Sequence, residues 1–196
     1  METVSKRYKV IYADPPWKYN NKSNSTNVRS AEKHYQTQTI ETLKAMNVPG
    51  LSDTSCALFM WATFPCLNEA LVLGKAWGFV YKTVAFVWIK QYRNNNGLVV
   101  GLGYYTRANA EIVLLFIKGK PLPRMSKDVR QVLISQRGKH SVKPPEIRNR
   151  IVRIFGDVPR VELFARSRPG FFPDEEYQGW DVFGNQVNNT IGIEPK

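Results

Sequence analysis

Apolar positions along this chain fall in short continuous runs separated by polar or glycine- and proline-bearing stretches. Tyr8 to Ala13, Cys56 to Ala62, Phe79 to Ile89 and Glu111 to Ile117 are rich in β-branched and aromatic residues. Each predicts a strand buried on both faces. Arg160 to Arg166 predicts a shorter strand ending in charge, and Gly179 to Gln186 a last strand followed by a turn. Helical spacing appears between them. Thr39 to Asn47 predicts a short helix with a cap residue and an early acid. A second helix is predicted to start at Thr63, with Pro65 in its first turn, Leu67, Ala70, Leu71, Gly74 and Trp77 along one side, and Gly78 as terminator. Lys143-Pro144-Pro145-Glu146 opens a third, with Ile147, Ile151, Ile154 and Phe155 on one face and Gly156 at its end. Strand, helix, strand with doubly buried runs predicts parallel pairing through right-handed crossovers. The fold class expected is α/β, a mainly parallel twisted sheet with helices on both faces.

Two stretches break the pattern. Lys18 to Gln38 is polar and rich in Asn and Ser, and reads as an active-site loop containing His34 and Tyr35. Lys90 to Ala110 carries basic residues, tyrosines and two glycines, and reads as a substrate loop, because such side chains hold phosphates and stack bases together.

Composition sharpens this picture. With 196 residues and 43% hydrophobic content the chain is expected to be one domain, residues 1–196, able to bury a core without staples. Met1 to Arg7 has no apolar segment and no run reaches the length of a membrane span, so a soluble, cytoplasmic protein without membrane contact is expected. Cys56 and Cys66 read as core residues rather than a disulfide or metal pair. The net charge of +12 exceeds what solubility needs and predicts a polyanionic partner. Half of the 28 basic residues, 14, lie between Lys118 and Arg168, against four acids. Prolines and glycines interrupt that segment, which argues against a membrane-surface helix.

The candidate chemistry sits at Asp14-Pro15-Pro16-Trp17, on the loop leaving the carboxyl end of the first strand, the edge where open α/β sheets bind ligands. Neither proline donates a backbone hydrogen bond and each fixes φ, so the loop is stiff and rich in acceptors. It offers a carboxylate, peptide carbonyls and an indole face. Such a loop suits a flat ring with an exocyclic amino group, such as adenine, which could stack on Trp17 and donate to Asp14 and the Pro15 carbonyl.

Asp14-Pro15-Pro16-Trp17 resembles the signature of the adenine-N6 methyltransferases related to the catalytic subunit of the messenger-RNA adenosine methyltransferase, a family with compact DNA-modifying members in bacteria and phages. Lys143-Pro144, Glu162-Leu163-Phe164-Ala165-Arg166 and Gly184-Asn185-Gln186 resemble three further segments of that family, in family order across residues 8 to 186. The resemblance implies a Rossmann-like, circularly permuted class I methyltransferase fold using S-adenosylmethionine. It implies catalytic roles for Asp14, Pro15, Pro16 and Trp17, with Asp14 also bordering the cofactor. Lys143 would lie by the cofactor's carboxylate, and Arg166, Asn185 and Gln186 by its nucleoside. Tyr35 would act as a lid, and Arg93, Arg107, Lys118, Lys120, Arg124 and Lys127 would hold the substrate backbone. Ala165 departs from the family's glycine.

The expected activity is methyl transfer from S-adenosylmethionine to adenine N6 in nucleic acid, DNA being favoured because the chain has no appended RNA-binding module. Direct in-line transfer calls for no metal. RNA as substrate, a non-catalytic nucleic-acid-binding subunit, and methylation of a protein or small-molecule amine stay open, as does a homo- or heterodimer.

Overall fold

The computed structural model describes residues 6–18, 37–138, 142–166 and 177–193. Seven strands form one sheet: β1 (Tyr8–Ala13), β2 (Ser52–Ala62), β3 (Val80–Gln91), β4 (Ala110–Lys118), β5 (Val132–Gln136), β6 (Arg160–Leu163) and β7 (Asp181–Phe183), in the order β5-β3-β4-β2-β1-β6-β7. The helices are α1 (Ile40–Ala45), α2 (Val48–Leu51), α3 (Leu67–Ala76) and α4 (Glu146–Phe155), and a 3-10 turn at Phe64–Cys66 leads into α3. The helix expected from Thr63 thus starts its α-helical part four residues later.

β1 pairs in parallel with β2 and β6, β6 with β7, and β3 with β5, while β4 runs antiparallel to both β2 and β3. The sheet is mainly parallel, as expected, but the direct parallel pairing of β2 with β3 is not found. The chain turns back after β3 and inserts β4 between them, and a reversal at one sheet edge can only yield an antiparallel strand. The basic segment also conceals β5, whose signal is the run Val132-Leu133-Ile134.

Both faces of the central strands are covered, whereas Val80 to Thr83 at the start of β3, expected within a doubly buried run, are exposed because β5 pairs only with the later part of that strand. Because successive residues of a strand point to opposite sides, Ile11, Ala13, Leu58 and Met60 pack with Leu43, Val48, Ala70, Leu73 and Trp77 on the side of α1 to α3. Val10, Tyr12, Phe59 and Trp61 pack with Ile147 and Ile151 of α4 on the other. Thr39 caps α1 by accepting from the Thr42 amide at 3.2 Å, and the Trp77 indole donates to the Leu43 carbonyl at 2.9 Å, tying α3 to α1. Gly78 (φ 84°) and Gly156 (φ 72°) end α3 and α4 in the left-handed region, as expected of helix terminators. Cys56 and Cys66 are buried free thiols, and burial pushes the Cys56 thiol up to about 12, so it is inert core.

This topology builds one functional edge. Six strands run the same way and end there, and antiparallel β4 begins there, bringing Asp14, Glu111, Arg166 and Gln186 to the same side of the sheet. From β1 the chain proceeds to β2 on one side and returns through α4 to β6 on the other, so the crevice beside Asp14 lies at the switch point of strand order.

Candidate active site

The loop after β1 is locked from its own residues outward. The Trp17 amide donates to the Pro15 carbonyl at 2.8 Å, closing a three-residue turn about Pro16, and the Gln38 amide donates to the Pro16 carbonyl at 2.9 Å. The carbonyls expected to stand uncovered therefore each hold one bond, which leaves each a second lone pair. The Asp14 amide donates to the Leu163 carbonyl of β6 at 3.3 Å. Trp17 departs from the sequence expectation. Only 6% of it is exposed, it belongs to the core on the α1–α3 side, and its indole donates to the Trp61 carbonyl at 3.1 Å. Packed in this way, its ring anchors the loop instead of offering a stacking face.

Asp14 belongs to a chain of alternating charges. Its Oδ1 lies 3.0 Å from the Lys143 Nζ, which lies 3.3 Å from Glu111 Oε2, and Glu111 Oε1 bonds Lys90. Lys143 stands just ahead of α4, reaching over the Trp61 ring with its nitrogen 5.3 Å from the ring centre. The side chains of Asp14, Glu111 and Lys143 are 14%, 14% and 17% exposed, so these charges interact through a low-dielectric surround. Burial opposes the charge on Lys143, yet Asp14 and Glu111 outweigh it and hold the ammonium well above the usual lysine range. Burial likewise opposes Glu111, and Lys143 and Lys90 outweigh it, keeping that carboxylate ionised below its ordinary range. Lys143 is therefore a fixed cation, not a proton acceptor. Glu111, Lys90 and Trp61 were not singled out in the sequence. The available signal for Glu111 is a lone acid at the head of an otherwise apolar strand.

The end of β6 forms the adjoining wall. Phe164 takes φ 63°, a left-handed conformation costly for a non-glycine residue, and turns the chain toward β7. The Ala165 amide then donates to the Phe183 carbonyl at 3.0 Å, and Arg166 bridges Gln186. A β-carbon on Gly184 would sit 2.1 Å from the Ala165 carbonyl oxygen, so only glycine permits this approach. The alanine that replaces the family's glycine is fully buried in the core on the α4 side. Tyr177 clamps Arg166 by donating to its carbonyl at 2.7 Å and accepting from its amide at 3.1 Å. Asn185 and Gln186 are exposed on the following turn.

Beyond Glu111 opens a cleft of about 1670 Å³ lined by Lys90, Tyr92, Arg93, Arg107, Glu111 and Arg137, among others. The segment between β3 and β4, expected as an irregular substrate loop, is a pair of small hairpins with bridges at Gln91–Leu98 and Gly101–Ala108. Arg93 and Arg107 line this cleft. Lys118 and Lys120 do not. β4 is antiparallel, so Lys118 ends seven residues from Glu111, roughly 24 Å away at the far edge of the sheet, where it donates to Ser52 at 2.7 Å. Lys120 follows it there, its amide donating to Ser55. Arg124 and Lys127 follow in the connection to β5, and Tyr35 lies outside the described residues. Among the described residues no group of His, Cys, Asp and Glu could hold a metal, and no helix is long and apolar enough to cross a membrane.

A mainly parallel α/β sheet with an acceptor-bearing loop at its switch point, flanked by a lysine before a helix and an arginine–amide turn, is a Rossmann-like architecture with its ligand site where such sheets place one. The MT-A70 family model matches residues 8–186, and the chain belongs to that family. It is 39% identical over 205 residues to the type II methyltransferase M.MunI of a Mycoplasma species, covering 96% of this chain and 82% of that protein. It is 30% identical to a probable N(6)-adenosine-methyltransferase MT-A70-like protein of Oryza sativa, across 94% of this chain and 24% of that one. Human METTL3, an N(6)-adenosine-methyltransferase catalytic subunit, is 26% identical across 96% of this chain and 30% of its own length. The family and the enzyme class, methyltransferase, are those the four sequence segments imply.

Proposed function

We propose that this chain is an S-adenosylmethionine-dependent adenine-N6 methyltransferase acting on DNA, with residues 1–196 as a single catalytic domain. The observation that carries the reading is the Asp14–Lys143–Glu111 cluster at the switch point, set between a basic cleft and the Arg166–Gln186 turn. The similarity to a type II methyltransferase along most of both chains supports DNA over RNA.

The residues fit the methyl donor. Lys143 and Arg166 are close enough that the arginine's charge works against that of the lysine, and an anionic carboxylate beside them relieves the repulsion. Lys143 at the start of α4 also stands where the helix favours negative charge. Asn185 and Gln186, exposed beyond Arg166, supply amide donors and acceptors for a ribose and base. When bound, S-adenosylmethionine provides an electrophilic methyl group. The chain's own work is orientation. Asp14 and the second lone pair of the Pro15 carbonyl accept the two N–H bonds of the adenine amino group, directing its nitrogen. A hydrogen bond to a charged acceptor is worth about 1.5–3 kcal/mol, and it strengthens as positive charge grows on that nitrogen. Asp14 keeps its ion pair meanwhile, since a carboxylate offers about four acceptor sites. Trp17 holds the loop rigid from below, and the product's surplus proton is acidic enough to leave to water.

Matched DNA and RNA oligonucleotides, incubated with labelled S-adenosylmethionine and digested to nucleosides, test the reading. N6-methyldeoxyadenosine in DNA supports it. Methylation confined to RNA overturns the substrate, and none in either polymer overturns the activity.

A further inference from the structure

The hairpin tip between Gly101 and Ala108 presents side chains that an isolated protein gains nothing by exposing. Tyr104 and Tyr105 are 95% and 94% exposed, their rings edge to face with centres 4.9 Å apart, and Leu102 beside them is 78% exposed. Neighbouring large apolar groups left in water mark a binding surface. The tip is held in shape. The Gly101 amide donates to the Ala108 carbonyl at 2.9 Å and Ala108 returns the bond at 3.3 Å. A β-carbon at Gly103 would lie 2.1 Å from the Thr106 carbonyl oxygen, so the turn closes tightly under the tyrosines. The base of the hairpin is tied to the active-site edge, because the Lys90 amide donates to Asn109 and the Lys90 side chain bonds Glu111. The tip stands on the rim of the cleft that ends at Glu111, among Arg93, Arg107 and Arg137.

That placement answers a geometric problem. Asp14 and Glu111 are recessed, each with only 14% of the side chain exposed, so a stacked and paired adenine cannot bring its amino group to them. The base must leave the helix, at the expense of its stacking. Other DNA-binding proteins push apolar side chains between base steps, and an aromatic ring stacked on a base recovers about 1–3 kcal/mol. We propose that the Tyr104–Tyr105 pair, with Leu102, is a wedge for duplex DNA: it fills the gap left by the extruded adenine and stacks on the bases that flank it, while the arginines hold the phosphates on either side. The inference rests on the DNA-methylating reading above and adds duplex opening to it.

The test uses the full chain, unmethylated duplex DNA of mixed sequence and the same DNA heat-denatured, with labelled methyl incorporation as readout. Joint replacement Tyr104→Ala and Tyr105→Ala should lower kcat on duplex by about 5- to 150-fold, the equivalent of one stacked base. The joint Tyr104→Phe and Tyr105→Phe variant should recover most of that loss, and any loss on denatured strands should be much smaller. The wedge is overturned if the alanine variant matches wild type on duplex, if phenylalanine fails as badly as alanine, if the loss is equal on denatured strands, or if the wild type methylates single strands alone. A wild type that methylates no adenine in either form instead overturns the proposed function itself.

Discussion

Replacing Lys143 by alanine probes the charged cluster most sharply. The substitution removes the cation 3.0 Å from Asp14 and 3.3 Å from Glu111. Breaking a buried ion pair by deleting one partner costs about 3–5 kcal/mol, most of it from the charge left behind. Glu111 keeps Lys90, so the stranded charge is chiefly Asp14, and the lower end, about 3 kcal/mol, is expected. For a chain of this size that is a fall in Tm of about 6–12 °C, readable by scanning calorimetry or chemical denaturation at pH 7. One further result separates charge from lost packing. Adding Asp14→Asn to Lys143→Ala should recover at least about 0.5 kcal/mol, the size of coupling expected between contacting residues. A deficit below about 1 kcal/mol at pH 7, or one that the second substitution does not reduce, refutes the argument.

The remaining expectations concern pH, packing and the DNA face. Glu111 is held below its ordinary value of 4.5, so its contribution is complete above that value and lost as pH falls. Lys143 is held above 10.5, so its contribution persists until pH rises beyond that point. Stability should therefore show no cluster-linked transition between about pH 5 and 10, and a titration of Tm that finds one near neutrality contradicts the assignment. Trp17→Ala should cost about 3–5 kcal/mol in urea denaturation, as for a core aromatic, whereas a loss under about 1 kcal/mol would mean the ring is not packed. Arg93→Ala and Arg107→Ala should each reduce the slope of log affinity for DNA against log salt by about 0.9. Lys118→Ala, at the opposite sheet edge, should leave that slope unchanged, and the reverse pattern would relocate the DNA face.

Much of this site is legible in the chain because it rests on local signals. The apolar run before Asp14 fixes a strand, the two prolines fix a stiff loop at its carboxyl end, and Lys143-Pro144-Pro145 fixes a helix start, each within a few residues. What depends on pairing across the sheet is not legible in that way. The antiparallel course of β4 places Glu111 beside Lys143 and carries Lys118 to the far edge, and no local pattern distinguishes an antiparallel insertion from another parallel strand when both faces are buried. Trp17 shows the same limit. A tryptophan after two prolines suits an exposed stacking platform and a core anchor equally, and the choice follows from where α1, α3 and the Trp61 carbonyl come to lie. Five-residue β5 is obscured because basic and polar residues on both sides outweigh three apolar ones.

The central claim, that Asp14 on its proline-stiffened loop orients an adenine amino group for methylation, is tested most directly by nucleoside mass spectrometry of unmethylated DNA treated with S-adenosylmethionine and either the wild type or Asp14→Ala. Circular dichroism and cofactor binding of the variant serve as controls. The account predicts N6-methyldeoxyadenosine from the wild type and a fall of at least about 10-fold, the low end for a hydrogen bond of about 1.5–3 kcal/mol to a charged acceptor, from a variant that remains folded and still binds cofactor. Turnover within a few fold of wild type from that variant contradicts it.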